Sequence, residues 1–74
     1  MLKTIKNGIY QHYKKLPYQV LGVVQHSETL EYMVYYQALY GERGFWVRPL
    51  NIFTEEVIVD GIKQPRFMYL HSTT

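Results

Sequence analysis

With 74 residues, 47 % of them hydrophobic, and no cysteine, the chain has room for one small domain, residues 1–74 with a core over about 8–70, and excludes disulfides and thiolate zinc sites. A chain this short buries a smaller share of its surface than a larger domain, so dense aromatic packing, from eight Tyr, three Phe and one Trp, or self-association must supply its stability. The net charge of +2 is segregated: Lys3, Lys6, Lys14 and Lys15 precede any acid, residues 28–60 hold Glu28, Glu31, Glu42, Glu55, Glu56 and Asp60 against Arg43 and Arg48, and Lys63 and Arg66 follow. That pattern suits either a nucleic-acid partner or a solvated surface whose charges the fold interleaves again.

The first residues, Met1-Leu2-Lys3-Thr4-Ile5-Lys6, carry charge but no continuous apolar segment, so they do not read as a signal peptide. No stretch reaches the ~18 apolar residues of a membrane-spanning helix. A soluble, cytoplasmic protein with no membrane partner is expected, and the lack of cysteine suits a reducing compartment.

Apolar residues do not recur at helical spacing over three turns, whereas alternation with period two is frequent, so the chain reads as strands joined by turns. The first strand is expected over Gly8 to Lys14, with Tyr10 and His12 on one side and Ile9 and Tyr13 on the other. Lys15-Leu16-Pro17 turns the chain, because proline lacks an amide proton and fits the start of the next strand better than its middle. That strand, Tyr18 to Gln25 or His26, has Val20 and Val24 on one face and Leu21 and Val23 on the other, as in a central strand. Gly22 in its middle predicts a bend or bulge. His26-Ser27-Glu28-Thr29 forms the hairpin connection, its hydroxyls bonding local backbone.

A third strand from about Leu30 to Tyr40 places Leu30, Tyr32, Val34, Tyr36, Ala38 and Tyr40 on the core side, and Leu39 breaks the alternation, predicting a bulge near Gln37 or Ala38. After the Gly41-Glu42-Arg43-Gly44 turn, Phe45 to Arg48 is the fourth strand, ended by Pro49. Residues 49–53 suit one 3₁₀ turn that brings Leu50 and Phe53 to the same side. Glu55 to Asp60 alternates again, Asp60-Gly61 is a tight-turn signal, and Gln64 to Leu70 is expected to return as its partner strand. His71 to Thr74 should fray. The expected fold is therefore all-β, a small SH3-like barrel of about five strands.

Several motifs then occur in order: Gly8-x-Tyr10-x-His12-Tyr13-Lys14, Tyr18-x-Val20-x-Gly22-x-x-x-His26-Ser27-Glu28-Thr29, Val34-x-Tyr36-x-x-Leu39-Tyr40, Trp46-Val47-Arg48-Pro49-x-x-x-Phe53, Val57-x-Val59-Asp60-Gly61 and Pro65-Arg66-Phe67. Together they resemble domain-of-unknown-function family 1653, a group of short bacterial proteins, over about residues 8 to 70. The resemblance implies a small all-β domain and implies no activity.

For chemistry, the three histidines His12, His26 and His71 show no H-x-H or H-x-x-x-H spacing, and a metal site would need His12 and His26 to converge with a carboxylate such as Glu28. His26, Ser27 and Glu28 are hydrolase-triad residue types, but neighbours on an extended chain point to alternate sides, so a triad or small-ligand site there would need His12 to approach Ser27 from another strand. No catalytic residue, metal or cofactor is assigned. Trp46 and Arg48 share one face: inward they make a core ring and a cation held by Glu55, Glu56 or carbonyls, and outward they make a recognition surface. Tyr36 and Tyr40 are expected in the core; Tyr10, Tyr13 and Tyr35 are expected at the surface near His12 and Lys14. The sequence thus points first to a non-enzymatic module that binds a peptide or a nucleic acid through Tyr10, His12, Tyr13, His26, Ser27, Glu28, Thr29, Trp46 and Arg48. The alternatives are a small-ligand or hydrolytic site around His26–Thr29 and a structural homo-oligomer with Met33 or Tyr35 at its interface.

Overall fold

A computed structural model describes residues 5–73. The expectation for the first residues of the chain falls mainly on Met1–Thr4, outside that range, as does the one for Thr74.

The described residues form seven strands and one helical turn: β1 (Gly8–His12), β2 (Pro17–Gln25), β3 (Tyr32–Ala38), β4 (Phe45–Pro49), α1 (Leu50–Phe53), β5 (Glu56–Val59), β6 (Ile62–Pro65) and β7 (Phe67–His71). Five of them make an antiparallel sheet in the order β4-β3-β2-β1-β7, and β5 and β6 make a separate hairpin. The fold is all-β. The two outer strands of the large sheet, β4 and β7, do not pair with each other, so the wall is open between them.

The core lies on one face of this sheet, where Tyr10, Val20, Val34, Tyr36 and Phe67 meet Leu50 and Phe53 from α1. The even face of β3 is inward as expected at Val34, Tyr36 and Ala38, but Leu30, expected on the same side, lies before the strand at positive φ and is exposed. Leu50 and Phe53 are buried together, but their turn is α-helical instead of 3₁₀. Thr54 accounts for the difference, since both its N–H and its hydroxyl donate to Leu50 O, at 3.0 and 2.8 Å, completing an i→i+4 bond.

The bulge at Gly22 is present. Val20 pairs with Tyr36 and Gly22 with Tyr35, leaving Leu21 unmatched. The extra residue reverses the alternation beyond it, so Val23 joins the core side and Val24 is exposed, where a regular strand would have put Val24 beside Val20. No bulge occurs near Gln37; β3 stays in register to Ala38, and Leu39 simply leaves the strand, its N–H donating to Pro17 O at 3.1 Å.

The return strand expected over Gln64 to Leu70 is divided. Ile62–Pro65 pairs with β5 through a turn at Asp60 and Gly61, both at positive φ, whereas Phe67–His71 crosses to pair with β1. Arg66 is the pivot: its N–H donates to Glu55 O at 3.0 Å, its carbonyl accepts from Tyr13 N–H at 2.9 Å, and its guanidinium pairs with the Glu55 carboxylate. His71, expected to fray, is the last residue of β7 and sits opposite Ile9.

Candidate functional site

Cross-strand register assembles a row of side chains on the inner face at one end of the sheet. Tyr18 lies opposite Ala38, Tyr36 opposite Trp46, and Val34 opposite Arg48, and directly opposed residues share a face. Trp46 and Arg48 are therefore on the core side. β4 is an edge strand, however, with no described strand beyond it, which leaves Trp46 60 % exposed. Inward direction and burial, taken together in the sequence argument, separate here.

Tyr18, Tyr36, Tyr40, Trp46 and Arg48 line a cleft of about 260 Å³. A second recess of similar size, lined by Ala38, Gly41, Glu42, Arg43 and Gly44, shares Tyr40 and Trp46 with it. Gly44 lies under the indole: a Cβ there would stand 3.3 Å from Trp46 Nε1. Tyr40, expected in the core, is exposed, and its hydroxyl hydrogen-bonds the Tyr18 hydroxyl across the cleft, with the two rings edge to face at 5.4 Å. Burial first, and then that bond, push the Tyr18 phenol well above its ordinary value of 10.0.

Arg48 forms the polar part of the cleft. Its Nε donates to the Tyr36 hydroxyl at 3.4 Å, and its guanidinium lies 5.6 Å from the Phe67 ring. The carboxylates proposed for it are committed elsewhere, Glu55 to Arg66 and Glu56 to Lys63, and among the described residues Arg48 has no ion pair. An aromatic enclosure alone would suit a cation. With a guanidinium already inside it, the cleft favours an anion beside a flat ring.

His12 adjoins this row without lining the cleft. Its ring packs on Tyr13, Phe67 and Tyr18, with centroids 4.4, 4.9 and 6.3 Å away, and its Nδ1 accepts the Lys14 N–H at 3.1 Å. Burial, then the charges of Arg48, Arg66 and Lys14, hold His12 below its ordinary 6.5. Tyr13 is half-buried with the Lys14 ammonium 5.9 Å from its ring.

Tyr10 is a core residue, contrary to its expected place on the surface. It is buried against Phe53 and Tyr69, and its hydroxyl donates to Lys6 O at 2.7 Å. His26, Ser27, Glu28 and Thr29 are exposed at the far tip of the β2–β3 hairpin. The tip is seven or more residues along β2 from Tyr18, roughly 23 Å at strand spacing. There His26 Nδ1 accepts the N–H groups of Glu28 and Thr29 at 3.1 and 3.2 Å, and Thr29 Oγ1 accepts the Glu31 N–H at 3.2 Å. These groups are engaged in shaping the turn.

The β1–β2 register, which ends at Gln11 opposite Pro17, puts His12 at the other end of the sheet from His26, so the two histidines do not converge. Among the described residues no group of three or more His, Cys, Asp or Glu side chains could hold a metal ion, and no helix is long and apolar enough to cross a membrane. Of the candidate residues, Trp46 and Arg48 share the cleft, and Tyr18 and Tyr40, which the sequence did not group with them, line it too. The pairing of β2 with β3 was the signal that could have found them.

The architecture has a counterpart in an experimental structure. The crystal structure of a protein of the DUF1653 family from Bordetella bronchiseptica superposes with a TM-score of 0.86 at 38 % identity, covering 95 % of this chain and 92 % of that one. Curated proteins offered no match. The family model of DUF1653, a protein of unknown function, matches residues 8–69, which include β1 to β6, the first three residues of β7 and all five residues of the cleft. This chain belongs to the DUF1653 family.

Proposed function

We propose that this chain is a non-enzymatic binding module, an SH3-like barrel open between β4 and β7, that takes single-stranded nucleic acid in the Tyr18–Tyr36–Tyr40–Trp46–Arg48 cleft. The observation that carries the reading is Arg48, a guanidinium with no carboxylate partner among the described residues, lying in the cleft that the bare Trp46 ring lines. A base stacks on Trp46 or Tyr40, and the adjoining phosphate meets Arg48. The cleft is smaller than the ~300–1,000 Å³ of pockets for drug-sized ligands, which suits one ring of a longer chain. Arg43, beside Glu42 in the adjoining recess, supplies a second cation. The absence of cysteine fits work in a bacterial cytoplasm.

Trp46 is the only tryptophan, so its fluorescence reports the cleft directly. Titration with short single-stranded oligonucleotides should quench it, with an affinity that falls as salt rises. Arg48→Ala should weaken binding at least tenfold. Quenching by acidic or aromatic peptides and not by oligonucleotides would replace nucleic acid with peptide as the ligand. No quenching by either would remove the cleft from the function.

A further inference from the structure

The edge strand β4 exposes three successive large apolar side chains, Phe45, Trp46 and Val47, at 57, 60 and 54 %. Its backbone has a definite parity. Ala38 N–H donates to Gly44 O at 3.0 Å, and the register continues with Tyr36 opposite Trp46 and Val34 opposite Arg48. Hydrogen-bonded and non-bonded pairs alternate along an antiparallel ladder. The backbone groups of Trp46 and Arg48 therefore turn towards β3, and those of Phe45 and Val47 turn outward. Pro49, which has the same outward parity, lacks only the amide proton. An apolar edge of this kind is a template for another strand.

We propose that β4 pairs antiparallel with β4 of a second copy about a two-fold axis through Val47, joining two sheets into one. This goes beyond the binding reading, which needs only one chain.

The case for a second copy is the self-complementarity of the strand. Centred on Val47, the pairing sets Val47 against Val47 and Phe45 against Pro49 on the outer face, and on the inner face it sets Trp46 of each copy against Arg48 of the other. Each cation thus meets a ring, a contact that leaves the edge of the guanidinium free for an anion. Shifting the register two residues one way opposes Arg48 to Arg48. Shifting it the other way opposes Trp46 to Trp46 and leaves Arg48 facing Gly44.

The outward N–H and C=O of Val47 then bond their symmetry mates, and the Phe45 N–H finds the Pro49 carbonyl. Two Phe45 and two Trp46 rings, each still a little over half exposed, can hide roughly half of the ~150–250 Å² that a whole ring buries, which supplies the apolar centre of an interface whose specific size begins near ~1,000 Å². A small chain without disulfides gains its missing buried surface in this way.

Cysteine cross-linking tests the register on a chain that has no thiol of its own. Opposed residues of a hydrogen-bonded antiparallel pair have Cα atoms about 5.5 Å apart, inside the ~4.4–6.8 Å range of disulfides. Val47→Cys should oxidise to a covalent dimer, and Phe45→Cys should not, because its two copies lie four positions apart along the strands, about 13 Å. Equal cross-linking of both variants overturns the register. Sedimentation of the unmodified chain should give twice its 8.9 kDa mass, and Val47→Lys should halve that value with an unchanged circular dichroism spectrum. A monomer at every concentration overturns the dimer, and so does a growing polymer, which would mean β4 pairing with β7 of the next copy. In the dimer the partner's Arg48 covers part of each Trp46 ring and leaves Tyr40 as the stacking face for a base; none of these readouts involves the ligand of the cleft, so failure of the dimer and failure of the nucleic-acid reading are distinguishable.

Discussion

Phe53 and Phe67 lie face to face in the core, their ring centroids 4.0 Å apart and their planes 4° from parallel. One closes α1 and the other opens β7, so this stack joins the two segments that the chain brings back to the inner face of the sheet. Tyr10 and Tyr36 pack on Phe53, and Tyr18, Tyr36 and His12 pack on Phe67. Phe53 is almost fully buried.

Removal of that ring should therefore be costly. Phe53→Ala is expected to destabilise the fold by ~3–5 kcal/mol, a large share of the ~5–15 kcal/mol available to a domain. Urea unfolding should show a partly unfolded protein without denaturant. A loss of under ~1 kcal/mol would mean that the aromatic cluster is not the core of the fold.

The pivot at Arg66 makes a second, smaller prediction. Glu55→Ala leaves the mostly covered Arg66 guanidinium without its carboxylate, next to an Nε that already has no hydrogen-bond partner. The pair is partly exposed, so the expected cost is only ~1–2 kcal/mol. Because the pair closes the open end of the β5–β6 hairpin, beside the Tyr13–Arg66 bond, amide exchange should accelerate in Glu56–Val59 and Ile62–Pro65 more than in β2 or β3.

These two sites show where reading the sequence succeeds and where it stops. Alternation along Val34, Tyr36 and Ala38 marks the buried face because strand periodicity is local, and Gly22 announces its bulge for the same reason. The division of the last strand at Arg66 depends instead on Glu55, eleven residues earlier, and on Tyr13 in the turn after β1. Likewise, Trp46 alternates inward yet remains open to solvent because β4 is an edge, which is a property of topology. Tyr18 and Tyr40, twenty-two residues apart, meet only through the β2–β3 register.

The floor beneath Trp46 gives a third prediction. A Cβ at position 44 would press on Trp46 Nε1 at 3.3 Å, so Gly44→Val should displace the indole from the cleft. The emission maximum of Trp46 should shift, and oligonucleotide quenching should weaken severalfold, with the unfolding midpoint little changed. An unaltered emission spectrum would mean that Gly44 does not position the ring.

Acid should act through His12. Its folded pKa lies below the ordinary 6.5 because burial and the charges of Arg48, Arg66 and Lys14 oppose protonation. The unfolded chain therefore takes up the proton first, and stability rises with pH between the folded value and 6.5. This contribution is intact above 6.5 and is lost as the pH falls towards the folded value. Urea midpoints at about pH 7.5 and about pH 5 should differ more for the unmodified protein than for His12→Gln. Equal differences would show that His12 titrates as it does in the unfolded chain.

Two glycines of similar appearance in the sequence should respond in opposite ways to alanine. Gly8 has φ +144°, a conformation that L side chains rarely adopt, and a Cβ there would stand 2.6 Å from His71 O and 3.1 Å from the Tyr69 ring. The His71 carbonyl cannot withdraw, because it is backbone of β7, which pairs with β1 around the irregularity at Ile9 and Tyr10. Gly8→Ala should therefore cost about 2–4 kcal/mol and loosen the β1–β7 pairing first. Gly22 lies beside a bulge and reads as the more constrained of the two, yet its φ is not in the left-handed region and no atom lies within 4 Å of the added carbon. Gly22→Ala should leave stability unchanged or raise it by up to ~1 kcal/mol, since it restricts the unfolded chain without straining the folded one. Parallel urea curves for the two variants decide the matter: a large loss at Gly22 would mean that the bulge needs glycine for its backbone, and a negligible loss at Gly8 would mean that β7 does not hold β1 as closely as the Gly8–His71 contact requires.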